Sequence, residues 1–451
     1  MFSSEWLWAW LILGGILIVA LTAIMTIVVV RHRRRPAAAT SANPEELDKK
    51  AAGGGVWIVV NPVKPTNYER FKAEIEEEVL RATGRPPFWI ETTVEDPGTG
   101  QAIEALRHKP SLVVAAGGDG TVRAVAAGMA FSGVPMALLP MGTGNLMARN
   151  LGIPLTHIPA IRLALTPISR RVDLAWLSVD RVEEESAFPA EGHLLVEAGA
   201  KQVRTLPEWV REPEENEYAY LVIAGVGFDG QTMANTTSEM KKKVGWSAYV
   251  LTSFKALRIE RMKATVTVYR TEGDRKFIGA KSGRGLRVPS KVQEAVRATG
   301  VLGVQSGASP DTCSTENWDM TPIRARTVLF ANCGELPFAQ LAPAALIDDG
   351  QLDVIAIDTQ GGLLGWFYLS VKVFGNQAGL HPINVKNDLA TLQFRQTPTA
   401  RVDISKAYPV QVDGDPIGTA RTVISRVDQG ALLIRVPSGS PAAIPDWDRR
   451  I

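Results

Sequence analysis

Cysteine and histidine are both scarce in this sequence. Its 451 residues include only Cys313 and Cys333, too few for a disulfide framework, which favours a reducing compartment. The five histidines do not combine with cysteines or acids at spacings typical of a zinc site. Net charge is also small, since 49 Lys and Arg oppose 47 Asp and Glu, and this gives no electrostatic argument for nucleic-acid binding.

Charged residues are missing altogether from Trp6 to Val30, a run of 25 residues that is long enough to span a bilayer. The basic sequence RHRRRP follows directly, and three tryptophans at the start of the run are typical of a membrane interface. This pattern predicts a transmembrane helix over residues 6–30, located in the cell membrane with the N-terminus outside and the catalytic body in the cytoplasm. A cleaved signal peptide, with its basic residues first and a shorter apolar core, is the alternative.

The rest of the chain divides by composition and periodicity. Residues 31–55 are predicted to form a basic segment that ends the membrane span, followed by a flexible tether. Residues 56–170 alternate strand-like and helical patterns, which predicts an α/β domain with a parallel sheet covered on both faces. Residues 171–437 contain short strand-like runs separated by turns and predict a mostly antiparallel β-sandwich, followed by a tail over 438–451.

Three further segments interrupt the second half. Residues 180–217 carry eleven acids against four Lys and Arg, and residues 282–322 are rich in Gly and Ser, so both are expected to be inserted solvated loops. Residues 238–257 form a basic helical stretch. Its Lys241 to Lys243 could meet anionic headgroups or could simply be a solvated helix face.

The sequence GGDGT, residues 117–121, follows a buried-looking strand and precedes a helix. In a parallel sheet, glycine-rich turns at the carboxyl ends of strands bring backbone N–H groups close to a phosphate. Asp119 is suited to orient Mg²⁺ on that phosphate, and Thr121 can cap the helix. An ordinary strand-to-helix turn with an N-cap aspartate is the alternative interpretation.

A second turn of this kind follows the next strand, where Gly142, Thr143, Gly144 and Asn145 precede a helix. The first strand ends in Asn61-Pro62, so three small-residue strand ends are expected at one edge of the sheet. No GK[ST] follows the glycines, which excludes a Walker A P-loop.

GGDGT followed by PMGTGN resembles the diacylglycerol kinase catalytic-domain family, in its bacterial soluble-type lipid kinase form. The first strand's VNP, GVGFDG, KKKVGWSAYV, APAALIDDGQLDV and VQVDGDP agree with that resemblance from about Val56 to Pro437, outside the two insertions. The resemblance implies an α/β ATP-binding domain and a β-sandwich lipid-binding domain, with transfer of the γ-phosphoryl group of ATP to a lipid hydroxyl. Diacylglycerol is the expected acceptor.

The resemblance and the two turns also imply specific roles. Asp415 is the expected proton acceptor, and Asp119 positions the catalytic Mg²⁺. A structural Mg²⁺ is implied at Leu346, Asp349 and Gln351. The expected nucleotide contacts are Asn61, Pro62, Thr93, Gly117, Gly118, Asp119, Gly120, Thr121, Val122, Arg123, Gly142, Thr143 and Asn145. The predicted partners are ATP, a lipid with a free hydroxyl group and the membrane, without nucleic acid; a homodimer is allowed.

Two departures from the family pattern leave alternatives open. The family often has GGDGTxNE, where this chain has Arg123 and Ala124, and Asp415 replaces a longer glutamate. If the segment is extended, Asp413 and Asp415 share one face as an acid pair, but DGD is also good chemistry for a tight hairpin turn. DDG at Asp349 is likewise compatible with an ordinary turn. The competing functions are an NAD kinase, which shares a GGDGT turn, and a catalytically inactive lipid- or nucleotide-binding membrane protein.

Overall fold

The structure is a computed structural model, and its described part lies within the compact unit Glu45–Ile451. The described residues are 54–183, 189–197, 199, 205–208, 210–227, 261–269, 318–336, 339–340, 345–359, 390–440 and 444–445. The predicted anchor over 6–30, most of the tether and the basic stretch 238–257 lie outside them and stay predictions. Among the helices in the described ranges, none is long and apolar enough to cross a membrane.

Strands and helices alternate through the first part of the chain, as the periodicity predicts. The elements are β1 (Val56–Val60), α1 (Tyr68–Thr83), β2 (Phe88–Glu91), α2 (Thr99–Arg107), β3 (Leu112–Gly117), α3 (Asp119–Met129) and β4 (Met136–Pro140). The four strands pair in parallel in the order β4-β3-β1-β2. Every residue of β3 and β4 is buried, which is the burial expected when helices cover both faces of a parallel sheet.

Helix α1 shows how local sequence sets these elements. Its apolar residues Phe71, Ile75 and Val79 recur at helical spacing and are buried against the sheet. Asn67 caps the N-terminus, since its side-chain oxygen accepts a hydrogen bond of 3.0 Å from the Arg70 amide. Gly84 ends the helix with a φ of 71°, a conformation that glycine adopts without a Cβ penalty.

The second part of the described chain is mostly antiparallel, which confirms that element of the prediction. It contains α4 (Leu146–Asn150), α5 (His157–Ala164), β5 (Ile168–Glu183), α6 (Glu191–Glu197), β6 (Glu217–Tyr220), β7 (Ile223–Gly227), β8 (Met262–Tyr269), β9 (Trp318–Ala325), β10 (Thr327–Ala331), β11 (Glu335–Leu336), β12 (Ala339–Gln340), β13 (Leu352–Thr359), β14 (Ala390–Thr397), β15 (Thr399–Val412), β16 (Asp415–Arg435) and β17 (Ile444–Pro445).

One long strand joins this part to the parallel strands. Strand β16, with 21 residues, pairs with β15 and β5, and its end pairs in parallel with β4 at Ile434 and Met136. Hydrogen bonding is therefore continuous, in the order β14-β13-β10-β7-β15-β16-β4-β3-β1-β2, with five further described strands attached. The strands of the second part therefore belong to a mixed sheet that is hydrogen-bonded to the parallel strands through β16, and the packing of the β-rich part as a sandwich stays a prediction.

Parts of the two expected insertions are ordered elements of the fold. Within residues 180–217, helix α6 carries Glu191, which is 1% exposed, and Glu217 at the end of the segment is equally buried. At the end of the segment 282–322, the start of β9 pairs with β8. The expectation of solvated loops is wrong for these parts. Glu191 and Glu217 are buried in ion pairs with Arg123 and Arg426, and the start of β9 is paired in the sheet.

Candidate active site

The two glycine turns lie against each other at the carboxyl edge of the parallel sheet. Gly117 pairs with Pro140, and the Met141 amide donates a hydrogen bond of 2.8 Å to the Gly117 carbonyl. A Cβ placed on Gly142 would lie only 2.9 Å from the Cα of Gly118. The absence of a Cβ at position 142 therefore allows the two backbones to approach so closely. The convergence of strand ends predicted from the sequence is therefore present.

Asp119 holds the second turn onto the first. Its two carboxylate oxygens accept hydrogen bonds of 2.9 Å from the Asn145 amide and 2.6 Å from the Leu146 amide, at the start of α4. Asn145 adopts a left-handed φ of 49° and closes its own turn by accepting a hydrogen bond of 2.8 Å from the Gly142 amide. A Cβ on Gly144 would lie 2.8 Å from the Asp119 carboxylate, so that glycine keeps the space for this contact.

The environment of Asp119 is unusual for a carboxylate in a turn. Burial raises the pKa of Asp119 to about 6 against the lowering effect of the Leu146 amide, and the Asp413 and Asp415 carboxylates raise it further. Thr121 is buried and does not cap α3, whose N-cap is Gly118 without a side-chain hydrogen bond. Its predicted capping role is wrong, since the Thr121 side chain packs where a Cβ on Gly117 would stand.

Three predicted nucleotide contacts surround this edge with polar groups. Asn61 follows β1 and accepts a hydrogen bond of 3.2 Å from the Val63 amide through its side chain. Thr93 follows β2 in an exposed turn closed by Asp96, and Thr143 is exposed on the second glycine turn. Their placement at the ends of adjacent strands is compatible with the predicted contacts.

Lys64 is a residue of this edge that the sequence reasoning missed. Its Nζ lies 3.8 Å from the position that a Cβ on Gly118 would occupy. The turn after β1 carries this lysine to the first glycine turn, and the Lys64 backbone amide donates a hydrogen bond of 3.2 Å to the Asn61 carbonyl within it. The signal was available: Lys64 is the first cation after Asn61-Pro62, the strand end that was already placed at this edge.

Substitution of Lys64 by alanine is expected to weaken nucleotide binding. A hydrogen bond between an ammonium and a phosphate contributes about 1.5 to 3 kcal/mol, so the KM for ATP should rise by about ten- to a hundredfold with a smaller change in kcat. Lys263→Ala, at an exposed position of β8, is the matched control and should leave KM unchanged. Equal KM values for the Lys64→Ala variant and the wild type would show that Lys64 makes no phosphate contact.

Asp413 and Asp415 do not form an extended acid pair. Asp413 and Gly414 make a two-residue hairpin turn between β15 and β16, with φ values of 46° and 91°. The Asp413 carboxylate is buried and accepts hydrogen bonds from three consecutive amides, at 2.8 Å from Leu221 and 2.9 Å each from Val222 and Ile223. The shared face predicted for the two acids is wrong, and Asp413 is a structural anchor between β6 and β7.

Asp415 instead points to the first glycine turn. Its side chain is 30% exposed, and a Cβ on Gly120 would lie 3.0 Å from its Oδ2. The same oxygen accepts a hydrogen bond of 3.1 Å from Arg123. The guanidinium of Arg123 is buried among protein partners, so the nucleotide contact predicted at this residue does not involve its side chain in this structure.

The predicted metal ligands lie in a separate acidic region. Leu346 has an exposed side chain and can offer only its carbonyl oxygen, whereas Asp349 and Gln351 are half-buried. Burial raises the pKa of Asp173 to about 7 and that of Asp353 to about 6, and the Asp349 carboxylate adds to both shifts. Among the described residues, no three His, Cys, Asp or Glu side chains are arranged to hold a metal ion by themselves.

One observation nevertheless fits a cation at this region. The side-chain Oε1 of Gln351 is buried without a hydrogen-bond partner, and the Asp349 carboxylate accepts a hydrogen bond of 3.0 Å from the Gln351 backbone amide. Amide, carboxylate and carbonyl oxygens are ligands that Mg²⁺ and Ca²⁺ prefer, with water completing the coordination. Asp349, Gln351 and the Leu346 carbonyl could hold such an ion.

Magnesium is therefore expected to stabilise the full chain in the absence of ATP. At a free concentration one hundred times the Kd, a single site would add about 2.7 kcal/mol to the free energy of unfolding. Gln351→Leu should remove most of the resulting increase in melting temperature. Gln101→Leu is the control, since Gln101 also has a buried Oε1 without a partner but lies on α2. The same Mg²⁺ effect in wild type and Gln351→Leu would place the ion elsewhere.

Comparisons with known proteins agree with this arrangement. A sequence model of the diacylglycerol kinase catalytic domain matches residues 55–177, which include both glycine turns. A Pseudomonas aeruginosa protein described as "Probable lipid kinase YegS-like" is 25% identical over 358 residues, covering 78% of this chain and 85% of that protein. A Stenotrophomonas maltophilia protein with the same description is 25% identical over 347 residues, covering 75% and 82%.

A solved structure has a related fold. The crystal structure of a "putative diacylglycerol kinase" from Bacillus anthracis str. Sterne superposes with a TM-score of 0.51 at 15% sequence identity. The match covers 87% of this chain and all of the bacterial structure. It extends the similarity beyond the glycine turns to the β-rich part that carries Asp415.

Proposed function

This chain belongs to the diacylglycerol kinase catalytic-domain family, and from that premise we propose that it transfers the γ-phosphoryl group of ATP, with Mg²⁺, to the hydroxyl group of a lipid. Diacylglycerol is the first candidate acceptor. The observation that carries the proposal is the position of Asp415. This carboxylate comes from the β-rich part, yet its Oδ2 lies 3.0 Å from where a Cβ on Gly120 would stand in the first glycine turn.

The phosphate-binding half of the proposal rests on the two turns. Close approach of Gly118 and Gly142 leaves a surface of backbone without side chains, on which a chain of phosphates can lie near amide groups. The N-terminus of α3 adds a favourable dipole, and Lys64 adds a positive charge. Asp119 keeps the second turn in place through the Asn145 and Leu146 amides.

The acceptor half rests on Asp415. Phosphoryl transfer depends mainly on positioning and charge neutralisation, and Mg²⁺ bound with ATP would neutralise phosphate charge as it develops. A lipid hydroxyl entering above Gly120 would meet the partly exposed Asp415 carboxylate, which accepts the hydroxyl proton as oxygen attacks phosphorus. The anchor proposed over residues 6–30 would keep this site at the bilayer surface, on the cytoplasmic side.

A radiolabel transfer assay tests the proposal. Membranes containing the full chain would receive γ-labelled ATP, Mg²⁺ and separate acceptors: diacylglycerol, ceramide, a sphingoid base and NAD. A labelled lipid that requires the chain supports the proposal and identifies the acceptor. Labelled NAD without labelled lipid would make the chain an NAD kinase. ATP binding without any labelled product would make it a catalytically inactive binding protein, and either outcome would overturn the proposal.

A further inference from the structure

Arg123 is one of the most completely buried side chains of the described fold, although arginine carries a permanent charge. It lies near the start of α3, in the second helical turn, and its side chain is 2% exposed. Its Nε donates a hydrogen bond of 3.0 Å to Glu191, whose side chain is also 2% exposed. Its Nη1 donates hydrogen bonds of 3.1 Å to both the Val412 carbonyl and the Asp415 carboxylate.

These contacts give the arginine two different kinds of partner. Glu191 is fully buried and also accepts a hydrogen bond of 3.1 Å from the Ala219 amide, so it neutralises the buried guanidinium and fixes its direction. Val412 and Asp415 lie on the two sides of the β15–β16 hairpin, directly paired with each other. The fork of the guanidinium therefore reaches from α6 to the hairpin that carries the candidate base.

A second observation shows why the direction of Asp415 needs support. Asp415 is the first residue of β16, its Oδ2 faces Gly120, and its side chain is 30% exposed. Arg123 is the described side chain that donates to this oxygen. An aspartate without such a donor would sample other rotamers, and a displacement of about 1 Å at a reacting group can lower the rate by about a hundredfold.

We propose that Arg123 and Glu191 are positioning residues, which hold the Asp415 carboxylate over the glycine turn in the geometry that accepts the lipid hydroxyl proton. The inference rests on the proposed kinase function and extends it. It gives the acidic segment 180–217 a place in the site, because Glu191 from that segment neutralises the charge of the buried Arg123 guanidinium. It also gives a role to Arg123, where the family pattern has asparagine.

The experiment compares the wild-type full chain with Arg123→Gln and with the double variant Arg123→Gln/Glu191→Gln. Arg123→Gln leaves Glu191 as a buried charge without its partner, so both the melting temperature and kcat should fall. The double variant removes both charges, and its melting temperature should return close to that of wild type. If Arg123 positions Asp415, kcat of the double variant should remain about a hundredfold low, with the KM for ATP within twofold of wild type.

A matched control separates positioning from general stability. Arg426 and Glu217 form another buried ion pair, with side chains 3% and 1% exposed. The hydrogen bonds of Arg426 go to Glu217 and Asp428, and not to Asp415. Arg426→Gln should lower the melting temperature without lowering kcat of the folded enzyme. A double variant of Arg123 and Glu191 that regains wild-type kcat together with its stability would overturn the inference and leave the kinase proposal intact. A wild-type chain inactive on every lipid would overturn both.

Discussion

Replacement of Asp415 by asparagine is expected to lower kcat for lipid phosphorylation by about a hundred- to ten-thousandfold, the range associated with loss of a general base. Asparagine has nearly the same shape, and its side-chain oxygen can still accept a hydrogen bond from Arg123. What is lost is the ability to take the hydroxyl proton. ATP binding should be little affected, because the glycine turns and Lys64 do not depend on Asp415.

The measurement is kcat and the KM for ATP in the labelled-lipid assay, together with ATP binding by the same preparation. Asp403→Asn is the control, since Asp403 lies on the same strand pair and is about equally exposed, but bonds to Arg401. A kcat for Asp415→Asn within threefold of wild type would mean that another group accepts the proton. A large rise in the KM for ATP with unchanged kcat would instead make Asp415 part of the nucleotide site.

Replacement of Asp413 by alanine is expected to have the largest effect on stability among the site residues. Three backbone amides of residues 221–223 would lose their acceptor in a buried position, and alanine would have to adopt a left-handed φ of 46°. A buried donor without a partner costs about 1 to 3 kcal/mol, and the left-handed conformation costs about 1 to 2 kcal/mol more. Relaxation of the surrounding backbone would recover part of these costs. The expected loss in the free energy of unfolding is therefore about 3 to 5 kcal/mol.

Urea unfolding followed by tryptophan fluorescence would measure this loss as a lower transition midpoint. Asp413→Asn provides the comparison, because asparagine tolerates the left-handed region and keeps one acceptor oxygen, so it should be destabilised much less than alanine. Equal midpoints for the alanine variant and wild type would show that water or a rearranged backbone replaces the three hydrogen bonds. Such a result would remove Asp413 as the anchor of this hairpin.

The α/β part could be predicted from the sequence almost element by element. The alternation of strand-like and helical patterns predicted from residue 56 onward is present as β1, α1, β2, α2, β3, α3 and β4. Local patterns succeed here because each parallel strand is a short, fully apolar run and each helix has one buried face. The meeting of the two glycine turns also followed from sequence, since adjacent parallel strands end at the same edge.

The polar contacts across the site could not be predicted in the same way. Arg123 meets Glu191 and Asp415 over sequence separations of 68 and 292 residues, and no local pattern records such a pair. For Asp413, strand alternation favoured a face shared with Asp415, and the structure has the alternative that DGD also allowed, a tight hairpin turn. Asp119 was predicted to position Mg²⁺ and to contact the nucleotide, and its hydrogen bonds to the second turn became visible only with the fold.

Strand β16 also has a consequence for synthesis of the chain. The ribosome completes the parallel strands and β5 long before residues 415–435 emerge, yet β16 is the strand that covers both β5 and the exposed edge of β4. Until then the nascent chain presents unpaired strand edges, which are prone to association with other chains. Premature termination upstream of this strand would release a polypeptide with both glycine turns, but with an open sheet and no Asp415, so the product would be inert and aggregation-prone.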